Sequence, residues 1–278
     1  MTDTVRQSVW LYNHDDADPA TLVDCAVAAE AAGWDGAFLS DSLPFAAYPD
    51  PMVTLAGIAS RTSSITLGTW VTPVPRWDPW QLAQSGATLD RLADGRVLLG
   101  VGLGNEDDYE AYGVEYDPAT LAERYDETLD IVDRLWSGDT VDYDGNHFEL
   151  EGATVEPTPV QEPRVPILAG AWWPNRAPIR RGARWDGVMP FGVSLTGGEQ
   201  GPHGEEATGS PAEELREAVA YYHDVVEEPG EIVVPEIPSL GSDAMVELCE
   251  AIGATWLLRT DLGESDEAMR AAIERGPA

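Results

Sequence analysis

The chain has 278 residues with fifty acidic side chains against sixteen basic ones, a formal charge of −34, and every one of the sixteen cations is Arg. Such a charge repels nucleic acid and anionic membranes and excludes both as partners. A hydrophobic content of 43% with ten Trp excludes a disordered acidic polymer. What fits is a folded protein with an acid-coated surface, whose self-repulsion high salt would screen, as expected in the cytoplasm of a salt-accumulating halophile. Cys25 and Cys249 lack metal or redox spacing and read as buried fillers. No apolar run approaches the ~18 residues that a membrane span needs, and no basic region followed by an apolar one opens the chain, so neither spanning nor secretion is expected.

In chain order, Ser8 to Tyr12 reads as a strand ending in the polar run Asn13-His14-Asp15-Asp16. A helix follows over 20–32, capped by Gly33, then a strand over 36–40 that ends in Asp41-Ser42, then a helix over 51–60. Ile65 to Thr72 is β-branched and aromatic, which suits a strand covered on both faces. Pro73, Pro75 and Pro79 end it and lead into a helix over 80–92, and Asp94-Gly95 turns the chain into the strand that closes on Gly102-Leu103-Gly104.

A helix over 118–136 carries Leu121, Tyr125, Leu129, Val132 and Trp136 on one face. Val141 to Leu150 alternates around Asp144-Gly145 and reads as a β-hairpin excursion within about 139–165, followed by a Pro-rich connector. Strands over 167–170, 187–191, 231–237 and 255–260 alternate with helices over 176–184, 211–226, 242–252 and 266–273. The stretch 194–210, rich in Gly and polar residues, reads as either a mobile lid or an unstructured insertion. Eight strands alternating with about eight helices predict an α/β fold, a single (β/α)₈ TIM barrel, in which chemistry sits at the C-terminal ends of the strands.

The run Ala87-Thr88-Leu89-Asp90-Arg91-Leu92-Ala93-Asp94-Gly95-Arg96, leading into Gly100-Val101-Gly102-Leu103-Gly104, resembles the luciferase-like flavin- and F420-dependent oxidoreductases. The resemblance extends from about Val9 to Phe191 and implies the same barrel. It implies coenzyme F420, with FMN as the alternative, a small organic substrate, and a homodimer paired through helix 79–92 with Trp80, Leu82 and Leu89 exposed. Hydride exchange needs mainly the positioning of the cofactor ring, so the protein's part is the pocket wall and the proton carriers.

Proton carriers are sought in Asp41, Ser42, His14 and Glu106. Many members of the family carry His where Ser42 stands, and another His where Asp78 precedes Pro79. The glutamate that follows the Gly-x-Gly-x-Gly run in the sugar-phosphate dehydrogenase branch is replaced by Asn105. A barrel that binds cofactor without catalysis is therefore a third reading.

Cofactor contacts are expected from Trp70, Val71 and Thr72, from Gly102, Gly104 and Asn105, from Gly170, Ala171 and Trp172, and from Pro190, Phe191 and Gly192. Trp10 and Trp173 are expected to join the pocket wall. Arg176 opens a basic helix that either holds the cofactor phosphate or is a solvated patch. By analogy with the family, Trp70–Val71 is expected to be a non-proline cis peptide with Val71 facing the cofactor. The four His are scattered without ligand spacing, and no metal is expected.

Overall fold

The computed structural model describes residues 5–12, 18–43, 49–196, 200–201 and 204–277. Barrel strands are β1 (Arg6–Leu11), β2 (Gly36–Leu39), β3 (Thr66–Thr69) with its continuation β4 (Thr72–Pro73), β5 (Val97–Gly102), β8 (Ile167–Trp173), β9 (Gly187–Gly192), β10 (Glu231–Pro235) and β11 (Trp256–Arg259). The excursion hairpin is β6 (Val141–Asp144) with β7 (Glu149–Ala153). Helices are α1 (Pro19–Ala32), α2 (Pro51–Ala59), α3 (Pro79–Leu92), α4 (Pro118–Trp136), α5 (Arg176–Gly182), α6 (Pro211–Val225), α7 (Ser242–Ile252) and α8 (Asp266–Glu274). The barrel strands pair in parallel in the order β3-β2-β1-β11-β10-β9-β8-β5, and β3 pairs with β5 to close the ring. This is a closed eight-stranded TIM barrel.

Local chemistry accounts for the element ends. Asp18 accepts from Ala20 N at the start of α1, with Pro19 in the first turn where no donor is needed, and Gly33 ends the helix at φ 89°. Ser210 and Glu213 form a reciprocal capping box on α6. The line Leu121, Tyr125, Leu129, Val132 and Trp136 is the buried face of α4, as its spacing predicts. Glu127 on that helix accepts from the backbone N–H groups of Asn146, His147 and Phe148, which ties the hairpin turn to the barrel wall.

The barrel interior is filled by Phe38, Leu98, Leu168, Met189, Val233, Trp256 and Leu258, below a partly open layer of Trp10, Trp70, Val71 and Phe191. Two outer cores lie between sheet and helices. Cys25 and Cys249 are buried there, and burial pushes their thiols up to about 11 and about 12.

The third strand is not the continuous run expected over 65–72. It leaves β2 after Thr69, the Trp70–Val71 peptide is cis, and pairing resumes against β5 at Thr72 and Pro73. The strand starting at Ile167 runs three residues past its expected end at Gly170, because Ala171, Trp172 and Trp173 keep their register with β9. Helix α3 was expected to expose Leu82 and Leu89 for a partner chain. Both are buried against the barrel, and Trp80 and Leu92 are its exposed apolar residues.

Candidate active site

A cavity of about 520 Å³ opens at the C-terminal ends of β2, β3, β5, β8 and β9. Period-two alternation decides which strand residues reach it. On β8, Gly170 and Trp172 line the cavity, while Ala171 and Trp173 point into the outer core, where the Trp173 indole donates to Glu217 at 3.0 Å. On β9, Phe191 lines it and Pro190 and Gly192 do not. Trp70, Val71, Gly102, Gly104 and Asn105 also line it, whereas the Thr72 hydroxyl is buried behind the wall.

Val71, at the bulge, packs against the two glycines that flank it. A Cβ on Gly102 would come within 2.6 Å of its Cγ2, and one on Gly170 within 3.2 Å of its Cγ1. Small residues at these two positions therefore leave room for Val71 to project into the cavity. Trp70 stacks on Phe191 at 5.0 Å between centroids, and Phe191 stacks on Trp172 at 5.3 Å, which gives one wall a continuous aromatic surface. Trp10 braces Trp70 edge-on from behind at 5.2 Å and is not itself on the cavity wall.

The polar side of the cavity is a buried carboxylate pair around one guanidinium. Arg76, in the 3₁₀ turn after β4, donates through Nη2 to Asp41 and through Nη1 to Asp108 at 3.3 Å. Asp108 also accepts from Ser42 Oγ at 3.0 Å, Leu43 N at 3.2 Å and Asn105 N at 2.9 Å, so one carboxylate knits the loops after β2 and β5 together. Asp41 keeps its Oδ2 buried without a hydrogen-bond partner among the described residues. Burial pushes the Asp41 carboxyl above the usual carboxylate range; Arg76 opposes this, and Asp50 and Asp108 reinforce it.

Sequence reasoning placed a proton carrier at Glu106. That side chain is exposed, and the buried acid of its short turn is Asp108, two residues on. Neither Asp108 nor Arg76 carried a family signature; the only sequence signal was an acid-rich turn after a glycine run. His14 lies outside the described residues.

Arg176 does not reach the cavity. Its guanidinium lies over the Tyr221 ring at 4.8 Å, and one turn later Arg181 faces inward, clasped by Asp126 through bonds of 2.8 and 3.1 Å. With Asn175, Ala177 and Pro178, Arg181 forms the α5 side of the mouth, opposite Pro118 and Ala119 of α4. Glu205, from the loop after β9, lines the mouth as well. The base of that loop is gathered by buried Glu214, which accepts from Ser194 N and Oγ at 2.9 and 2.7 Å and from Thr208 N at 2.8 Å. Among the described residues no cluster of His, Cys, Asp and Glu is suited to a metal.

A closed parallel barrel with an aromatic-walled cavity at the C-terminal strand ends is the arrangement in which barrel enzymes bind small organic ligands. The luciferase-like monooxygenase family model matches residues 2–219, and the chain belongs to that family. It is 36% identical over 163 residues to an F420-dependent glucose-6-phosphate dehydrogenase of Microbacterium testaceum, a match covering 56% of this chain and 48% of that protein. It is 38% identical over 161 residues to the protein of the same description from Mycobacterium tuberculosis, covering 55% and 48%. The chain thus spans about half the length of the relatives it matches.

Among solved structures it is similar to the coenzyme F420-dependent tetrahydromethanopterin reductase of Methanopyrus kandleri, with a TM-score of 0.76 at 16% identity over 98% of this chain and 96% of that one. It is also similar to a type II Baeyer–Villiger monooxygenase of Pseudomonas putida solved with FMN, with a TM-score of 0.72 at 13% identity over 98% and 96%. Both likenesses are of fold.

Proposed function

We propose that this chain is an F420-dependent oxidoreductase that exchanges hydride between the deazaflavin and a small organic substrate, with Asp41 as the proton carrier. The observation that carries the reading is the Asp41 carboxyl, buried at the end of β2 on the wall of the cavity, with Oδ2 unpartnered among the described residues. A heterocycle edge with a hydrogen-bond acceptor suits that wall, since Trp70 Nε1 is a buried donor with no partner among the described residues. When bound, the cofactor supplies the hydride acceptor or donor. The protein's residues do the rest.

Val71, Gly102 and Gly170 would back the flat ring, and the mouth between α4 and α5, with Asn175 and Arg181, would hold the tail. In alcohol oxidation Asp41 would take the proton of the substrate hydroxyl as the carbonyl compound forms, and a bound deazaflavin would supply the hydride acceptor. Arg76 fixes Asp41 through one oxygen and leaves the other for the substrate hydroxyl. The sequence relatives named for F420 support the cofactor over FMN.

The acid surface without Lys supports a protein that works at high salt, in the cytoplasm, and exposed Trp80 and Leu92 on α3 support pairing of two copies there. Among the described residues no helix is long and apolar enough to cross a membrane.

The test is titration of F420 and of FMN against intrinsic Trp fluorescence in molar KCl, since Trp70 and Trp172 line the cavity. Saturable quenching by F420 is expected. Quenching by FMN alone would favour the oxygen-activating alternative, and binding of neither would favour a non-catalytic barrel.

A further inference from the structure

Trp70 and Val71 lie between two ladders. The register of β3 with β2 ends at Thr69 and Leu39, and pairing with β5 resumes only at Thr72. Backbone polar groups shielded from water require partners, and the end of β2 supplies both of those that Trp70 needs. The Trp70 N–H donates to the Leu39 carbonyl at 2.8 Å, and the Trp70 carbonyl accepts from Ser40 Oγ at 3.1 Å. Ser40 Oγ in turn accepts from the Trp10 indole N–H at 2.9 Å, so one hydroxyl joins β1, the end of β2 and the bulge.

An indole nitrogen only donates and a carbonyl oxygen only accepts, so the group between them must do both. A hydroxyl does so with its single proton committed to Trp70 and a lone pair to Trp10. The direction of the relay is thereby fixed, and each bond polarises the other. The side chains favour the same placement. Trp10 meets the Trp70 ring edge-on at 5.2 Å, Phe191 stacks on that ring at 5.0 Å, and Val71 fills the gap between Gly102 and Gly170. Neither hydrogen bond of the relay involves the side chains of Asp41, Arg76 or Asp108, so it can be perturbed apart from the ion cluster.

Resting on the F420-dependent reading, we propose that Ser40 is a positioning residue: its hydroxyl, oriented by Trp10, fixes the Trp70 carbonyl and so sets how far Val71 projects against the cofactor ring. It acts through the backbone of Trp70 and Val71, not on the reacting atoms. Three substitutions separate this role from packing. Ser40→Ala takes away the partner that Trp10 and Trp70 share and adds no bulk. Ser40→Thr keeps the hydroxyl, and its methyl has the cavity to enter, since Ser40 is on the wall. Trp10→Phe keeps an aromatic ring and removes the donor.

The first arm of the test needs no cofactor. The indole N–H proton resonance of Trp10, identified by its loss in Trp10→Phe, should move upfield and exchange faster with solvent in Ser40→Ala but not in Ser40→Thr. A resonance that stays in place in both would overturn the relay. In the second arm F420 is titrated against each full-length variant in molar KCl, and the visible band of the bound cofactor is recorded. Ser40→Ala is expected to weaken binding about tenfold and to shift that band, with Ser40→Thr staying within about twofold of wild type. Trp10→Phe should cost severalfold and add little to Ser40→Ala, because both act through one chain of bonds. Should Ser40→Ala not fold, Trp10→Phe and Ser40→Thr carry the test. Unchanged affinity in Ser40→Ala, an equal loss in Ser40→Thr, or fully additive losses in the double variant would overturn the proposal. A wild type that binds FMN in place of F420 would defeat the cofactor reading alone, and the same ranking of variants in FMN titrations would uphold the role of Ser40. Binding of neither would overturn both.

Discussion

Arg76→Met tests the buried ion cluster most directly. The substitution keeps much of the side-chain volume and removes the one cation that faces both Asp41 and Asp108. All three groups are shielded from solvent, with side-chain exposures of 12% for Arg76, 6% for Asp41 and 1% for Asp108, so salt screening discounts the effect little. Taking one partner from a buried pair costs about 3–5 kcal/mol because the remaining charge is left uncompensated. For a protein of this size that is a fall in Tm on the order of 10 °C.

The pH dependence separates lost charge from lost packing. The folded-state pKa of Asp41 is already raised, so folding takes up a proton in the window between the ordinary carboxylate value near ~4 and its folded value, and stability falls as pH rises through that window. Removing Arg76 pushes the folded value higher and carries the loss to higher pH. Tm of wild type and variant, measured from pH 5 to pH 8 in molar KCl, should therefore diverge with rising pH, and Asp108→Asn in the variant background should recover part of the gap. A gap that stays constant with pH would mean that only packing was lost, and the electrostatic account of Asp41 would fail.

Three further outcomes are expected. Tm should climb when KCl is raised from about 0.1 M to about 2 M, since screening relieves a net charge of −34; an unchanged Tm would remove the high-salt reading. Glu30 feels burial raising its carboxyl, but N–H groups of Ser63, Ser64 and Ile65 and the Ser64 hydroxyl pull it down to about 2. Its stabilisation is then present above the ordinary carboxylate value and fades as pH falls towards 2, so Glu30→Ala should cost about 1 kcal/mol near neutrality, solvent screening at this partly exposed site holding the loss down, and progressively less in acid. Gly100→Ala would set a Cβ 2.0 Å from the Thr69 carbonyl oxygen and 2.8 Å from Met189 Sδ inside the barrel, and chemical denaturation should show a loss of about 3 kcal/mol or more.

The barrel was legible because its signals are local and repeated. Apolar runs such as Val97–Val101, caps such as Asp18-Pro19 and turns such as Asp94-Gly95 each act within a few residues. The site was legible where glycines or a family signature mark it, as at Gly102, Gly170 and the Trp70–Val71 bulge. It was not legible where the choice depended on strand phase or helix rotation. Whether Trp172 or Trp173, or Arg176 or Arg181, faces inward follows from pairing with β9 and from packing on α4 and α6, which involve residues far along the chain. Arg76 and Asp108 were missed for the same reason, since they meet only because the 3₁₀ turn after β4 and the turn after β5 close over Asp41.

The two histidines expected from the family resemblance are replaced here by side chains with structural work of their own. Ser42 donates its hydroxyl to Asp108, and Asp78 sits at the start of α3 with Arg124 at 3.4 Å, so neither holds a titratable group open to the cavity. Proton handling then falls to Asp41 if the barrel is catalytic. Asp41→Asn keeps the shape, removes the exchangeable proton and should lower kcat by about 10²–10⁴-fold, while F420 affinity changes much less. The wild-type rate of alcohol oxidation, which needs the ionised carboxylate, should rise with pH through an inflection above the ordinary Asp range, in keeping with the raised Asp41 carboxyl. An Asp41→Asn protein that binds F420 and turns over at the wild-type rate would move the proton carrier elsewhere, with His14 the first residue to examine.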